Sequence, residues 1–141
     1  SLVNHKYALA IRDGIQFEAR VFIPSVLPFQ SGHLAIIFGN LLENAIEAAE
    51  RTENKYLNVS ITLQKGILRI RIDNSFVTES TSYKEERDGS RILQTTKKRK
   101  ELHGIGLKNV KKIVESYNGN MEIHMENDIF SVNIILYMSQ I

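Results

Sequence analysis

The chain has 141 residues, 43% hydrophobic and 24% charged, which fits one globular domain able to bury a single sizeable core. Its formal net charge of +2 is too weak to argue for nucleic acid, and the absence of cysteine excludes disulfides and thiolate metal sites. His5, His33, His103 and His124 lack metal-ligand spacing, and no apolar run approaches the roughly 20 residues that span a bilayer.

In chain order, residues 2 to 12 read as a short helix closed by Asp13-Gly14. The chain opens on Ser1 rather than Met, which suggests an excised fragment, and no signal peptide opens it. Phe17, Ala19, Val21 and Ile23 alternate as one face of a strand that Pro24 ends, and Ser25 to Gly32 reads as a loop. Residues 33 to 51 carry the clearest helical period, with Leu34, Ile37, Phe38, Leu41, Leu42, Ala45, Ile46 and Ala49 forming one apolar stripe. Leu57 to Leu63 and Leu68 to Ile72 alternate around a Lys65-Gly66 turn, which predicts a hairpin. Residues 77–102 bury almost nothing in their first half and read as a lid, a binding loop or disorder. A second helix is expected from about Gly106 to Asn118, with Gly119 placed to cap it. Two further alternating runs, 121–125 and 130–138, flank an Asn127-Asp128 turn. The sum is an α+β, two-layer sandwich: helices on one face of a mixed, mostly antiparallel sheet.

Three places spend the pattern on something other than packing. Asn40, Asn44 and Glu47 stack on one side of the first long helix, Asn44 falling about 20° from Ile37 at the margin of the apolar stripe. Such amides suit a hard cation without adding charge that repels phosphates, and they equally suit a polar flank on an amphipathic helix. At the strand end Ile72-Asp73-Asn74-Ser75-Phe76, alternation puts Asn74 on the face of Leu68, Ile70 and Ile72, and turns Asp73 the other way. A carboxamide there suits the edge of an adenine ring, and Asp-Asn-Ser also suits a turn. His103-Gly104-Ile105-Gly106-Leu107 joins the lid to the second helix, where glycines and free N–H groups would cradle phosphate behind the basic run Lys97-Lys98-Arg99-Lys100. A basic run by itself is equally a solvated face or a nucleic-acid patch.

In order, these sites resemble the nucleotide-binding boxes of the ATPase superfamily that includes gyrase, the Hsp90 chaperones, histidine kinases and the MutL repair proteins. Asn40-Leu41-Leu42-Glu43-Asn44-Ala45-Ile46-Glu47-Ala48 resembles its asparagine box, and His103-Gly104-Ile105-Gly106-Leu107 its second glycine box. The Asn-Ser strand end and the Thr95-Thr96-Lys97 lid exit resemble sensor kinases that read peptide pheromones. The resemblance implies ATP between the helical layer and the sheet. Asn44 would hold Mg²⁺, with Asn40 and Glu47 in the polar surround. Gly104, Gly106 and Leu107 would offer backbone to the phosphates, and Lys97 and His103 would close over them. The superfamily's usual Asp-x-Gly-x-Gly box is reduced to Asp73-Asn74-Ser75-Phe76, so Asn74 takes the adenine-reading position, and the usual threonine on the late strands is not evident near Asp128 to Phe130.

The expected activity is phosphoryl transfer from ATP to a histidine, with Lys97 and Mg²⁺ neutralising charge. Asn40 stands where hydrolysing branches of the superfamily carry a water-activating glutamate, which favours transfer over hydrolysis. No histidine of this chain has a convincing phosphoacceptor setting, so the acceptor is expected on an upstream dimerisation domain, with residues 1–14 as the end of the connecting helix and 15–141 as the catalytic ATP-binding domain. The resemblance further implies a dimer in the full protein, a response regulator as partner, no nucleic acid, and a cytoplasmic position beneath a bacterial plasma-membrane receptor. The rivals are an anti-sigma-factor-type serine kinase on the same fold and a non-catalytic basic binding module.

Overall fold

The computed structural model describes residues 2–77, 82–85, 91–94 and 97–138, with the side chains of 2–4, 6, 82–85, 91–94 and 97–105 left out of the description. Helix α1 (Leu2–Arg12) ends where Gly14 takes φ +81° and Ile15 N–H reaches back to the Ala10 carbonyl at 2.9 Å, satisfying an end carbonyl of the helix. Strand β1 (Gln16–Phe22) follows directly, and Tyr7 of α1 sits edge-on to Phe17 with ring centroids 5.1 Å apart. Helix α2 (Ser31–Glu50) then crosses the sheet to β2 (Tyr56–Gln64), so β1 and β2 pair in parallel.

The Lys65-Gly66 turn takes left-handed backbone at both residues, φ 53° and 76°, and returns the chain as β3 (Ile67–Ser75), antiparallel to β2. A separate pair, β4 (Ser82–Glu85) and β5 (Arg91–Gln94), precedes helix α3 (Lys97–Ser116). Strands β6 (Asn120–Glu126) and β7 (Ile129–Tyr137) form the last hairpin, and β7 joins β3 antiparallel. The main sheet therefore runs β1-β2-β3-β7-β6, with one parallel junction. It is the expected mixed sheet.

One face of that sheet makes the core. Leu57, Val59 and Ile61 lie beside Ile72, Ile70 and Leu68 of β3 and Val132, Ile134 and Leu136 of β7, all buried. Leu34, Ile37, Phe38, Leu41, Leu42, Ala45 and Ala49 of α2 cover them, with Val110 and Val114 of α3. Each such aliphatic contributes about 1.5–3 kcal/mol by leaving water, offset by the entropy of ordering the chain.

Three expectations need correction. The segment 77–102 is not a single loop in its described parts, because it contains the β4–β5 pair and the start of α3. The second helix begins at Lys97 rather than near Gly106, since Lys, Arg, Glu and Leu at 97–102 are all good helix formers and carry the helix through both glycines. At its other end Asn118, at φ 54°, takes the left-handed cap position assigned to Gly119. Gly119 is required for space instead: a Cβ there would collide with the Ile135 carbonyl oxygen, while its N–H bonds the Val114 carbonyl at 2.9 Å.

Candidate functional site

Asn40, Asn44 and Glu47 lie half-buried along the edge of α2, beside the stripe that packs on β3. Asn40 Nδ2 donates to the Ile36 carbonyl at 2.8 Å, which spends the amide nitrogen on its own helix and turns the oxygen outward. That oxygen lies against α3. A Cβ built on Gly106 would stand 2.5 Å from Asn40 Oδ1 and 3.1 Å from its Cγ, so a side chain at 106 would turn the Asn40 amide out of its present position. Gly106 is buried. The sequence pattern did not foresee this contact, although a buried-face position held by glycine inside a long helix is its visible mark.

Asn74 is 3% exposed and stands on the helix-facing side of β3, opposite Leu57 of β2 and Phe130 of β7. Its amide nitrogen donates to the Ser75 carbonyl at 3.0 Å, leaving the amide oxygen as acceptor. Asp73 projects to the other face, where both carboxylate oxygens accept from Arg71 Nε at 3.1 Å. It lines a cleft of about 630 Å³ with Gln16, Glu53, Asn54, Tyr56, Arg71 and Ile129, away from the helical layer. The strand register read from alternation therefore holds: Asn74, not Asp73, shares the side of the sheet that α2 covers.

Ser75 ties the end of β3 to the end of α2. Its hydroxyl is 2.7 Å from the Thr52 hydroxyl and accepts the Tyr56 N–H at 2.9 Å, while Thr52 also donates to the Ala49 carbonyl at 2.8 Å. At the opposite end of α2 the hydroxyl of Tyr117, in the turn after α3, lies 2.8 Å from His33 Nδ1 and accepts the Gln30 N–H at 3.1 Å. Both links escaped the sequence reading, because single hydroxyls leave no period.

Near the C-terminus of α2, Glu50 is exposed as a residue. Partial desolvation nonetheless raises its carboxyl above the ordinary carboxylate range, reinforced by the hydrogen bond that protonated Glu50 donates to Asp13, by the charge of Asp13 and by the charge of Glu47, with Lys55 opposing.

Lys97, His103, Gly104 and Leu107 all belong to α3, and the side chains of Lys97 and His103 lie outside the described residues. Leu107 packs against the core. The expected cradle of free N–H groups at Gly104 to Leu107 is not what the helix provides. These residues sit inside α3, where N–H groups bond four residues back, and the free donors belong to its first turn at Lys97 to Lys100. Four basic residues with no acidic one at that turn oppose the helix dipole, a charge arrangement that favours an anion.

The donor set fits a magnesium nucleotide. Asn40, Asn44 and Glu47 offer hard oxygen ligands on one helix edge, and Asn74 offers a buried acceptor on the facing sheet. Among the described residues no group of three or more His, Asp or Glu side chains could hold a metal by itself. No helix is long and apolar enough to cross a membrane.

Residues 30–137 match the GHKL domain family, and the chain belongs to it. Its fold is that of histidine kinase catalytic domains. The catalytic domain of histidine kinase ThkA, in a nucleotide-free form, superposes with a TM-score of 0.70 at 19% identity, covering 97% of this chain and 92% of that one. The histidine kinase domain of the Erythrobacter litoralis EL346 blue-light activated histidine kinase gives 0.64 at 15% identity, over 97% of this chain and 59% of that one. Full-length ShkA in complex with AMPPNP gives 0.64 at 16% identity, and the 98% of this chain that it covers is only 30% of its own. No curated protein matches the sequence.

Proposed function

We propose that this chain is the ATP-binding catalytic domain of a two-component sensor histidine kinase, passing the γ-phosphoryl group to a histidine on an upstream dimerisation domain. The observation that carries the reading is the buried Asn74 on the sheet face covered by the asparagine-bearing helix α2. Belonging to the GHKL family supports it.

In this reading Asn74 accepts from the adenine amino group through its amide oxygen, and Asn44 holds Mg²⁺ with Asn40 and Glu47 beside it. Bound Mg²⁺ would neutralise charge on the phosphates. Lys97 supplies positive charge to the same groups, with His103 closing over them. Asn40 cannot take a proton from water, which disfavours hydrolysis, and a neutral imidazole acceptor needs no general base. Backbone contact from Gly104, Gly106 and Leu107 requires the first turns of α3 to open. Glycine weakens a helix interior by about 1 kcal/mol relative to alanine, so the two glycines lower the cost of opening.

The subtype we propose is a receptor of the peptide-pheromone kind, with the domain on the cytoplasmic side of a bacterial plasma membrane and a response regulator downstream. The Asn-Ser strand end and the Thr95-Thr96-Lys97 run support it.

Titration with a non-hydrolysable ATP analogue, with and without Mg²⁺, tests the site. Asn44→Ala and Lys97→Ala are expected to weaken magnesium-dependent binding, and unchanged affinity in both would remove the assignment. Incubation with ATP and the upstream helical hairpin of the parent receptor tests the reaction. Acid-labile phosphohistidine is the expected product, whereas acid-stable phosphoserine would assign the chain to the serine kinases.

A further inference from the structure

Strand β1 ends the sheet, and among the described residues no strand pairs with its outer side. Gln16 N–H bonds inward to the Lys55 carbonyl at 2.7 Å, so by alternation the even-numbered residues of β1 bond to β2 and the N–H and C=O of Phe17, Ala19 and Val21 point outward. Glu18, Ala19 and Arg20 are exposed, as are Val21 at 42% and Phe22 at 71%. Helix α1 lies over Phe17 but does not close the strand, and Tyr7 stays 43% exposed beside it.

Charged residues on an edge strand ordinarily block pairing with another chain. Here the two charges have opposite sign and flank Ala19. We propose that β1 is a self-association edge, pairing antiparallel with β1 of a second copy of this chain about a two-fold axis at Ala19. In that register Glu18 of each copy faces Arg20 of the other. Phe17 faces Val21, and Ala19 faces itself, small enough to leave the axis unobstructed. The outward-pointing residues Phe17, Ala19 and Val21 fall in hydrogen-bonded pairs. Glu18 and Arg20 fall in the non-hydrogen-bonded pair, whose side chains approach more closely. Val21 of each copy then covers the Phe17–Tyr7 ring pair of the other, continuing the helical layer across the junction. The far edge, β6, carries Glu122 and Glu126 with no Lys or Arg between them, and offers no such match.

A seven-residue strand pair lies at the weak end of specific interfaces, so association is expected to depend on concentration up to about 1 mM. Sedimentation equilibrium of the 141-residue chain tests it. The wild type is expected to show monomer and dimer. Glu18→Arg places arginine against arginine across the axis, and Arg20→Glu places glutamate against glutamate, so each variant alone is expected to lose the dimer. Mixed in equal amounts they restore both ion pairs, and a heterodimer is expected to return at the wild-type concentration. Circular dichroism verifies that both variants fold, as exposed substitutions should. A monomeric wild type, a dimer indifferent to either reversal, or a mixture that stays monomeric would each overturn the proposal.

Discussion

Asn74 and Asp73 are neighbours in sequence and occupy opposite sides of a sheet, so substitutions at the two positions should separate cleanly. Asn74→Asp supplies a charged acceptor and is expected to tighten ATP-analogue binding at neutral pH. Its buried carboxylate should also lower the stability of the nucleotide-free domain by about 1–3 kcal/mol, read by urea unfolding. Asp73→Asn should leave nucleotide affinity unchanged and cost under about 1 kcal/mol, because Arg71 is largely exposed. Gly106→Ala drives a methyl group into the Asn40 amide, which outweighs the roughly 1 kcal/mol of helix propensity it adds, and is expected to destabilise by up to about 2 kcal/mol net. Adding Asn40→Ala should recover part of that loss, and a double-mutant cycle measures how much. Which face Asn74 takes could be read from the period of two in β3. The meeting of Asn40 with Gly106 could not, since it depends on how close two helices approach and not on any pattern within either.

At the scale of elements, the hairpins and the first long helix were legible because their period is unambiguous, while the start of α3 was not. Glycine at 104 and 106 looks like a boundary, yet boundary signals compete with the helix propensity of the charged run before them, and the run prevails. That competition can be tilted. Gly104→Ala should strengthen α3 by about 1 kcal/mol and weaken nucleotide binding by up to roughly fivefold, if phosphate contact opens the helix there. The junction of α1, α2 and β2 makes stability depend on pH. Glu50 holds its proton more tightly when folded than when unfolded, so its contribution is full below the ordinary carboxylate range and is lost as pH rises through the elevated value. Asp13 and Glu47 face it as acids and Lys55 as a base. Glu50→Gln is therefore expected to flatten the fall in stability with rising pH over that window, measured by thermal unfolding across a pH series.

For the molecule as a whole, the two-layer α+β arrangement followed from two helices and a set of alternating runs, but the strand order did not. Nothing local says that β1 pairs in parallel with β2, because that junction is made by residues 23–55 passing over the sheet. The connection includes α2, the helix that carries Asn40, Asn44 and Glu47. A ligand gripped by α2 thus holds a long-range closure of the chain, and kinetics should register it. Contacts with high sequence separation form late, so saturating magnesium nucleotide is expected to slow unfolding while leaving the refolding rate nearly untouched. Stopped-flow chevrons with and without the analogue would display the asymmetry as a shift of the unfolding limb alone.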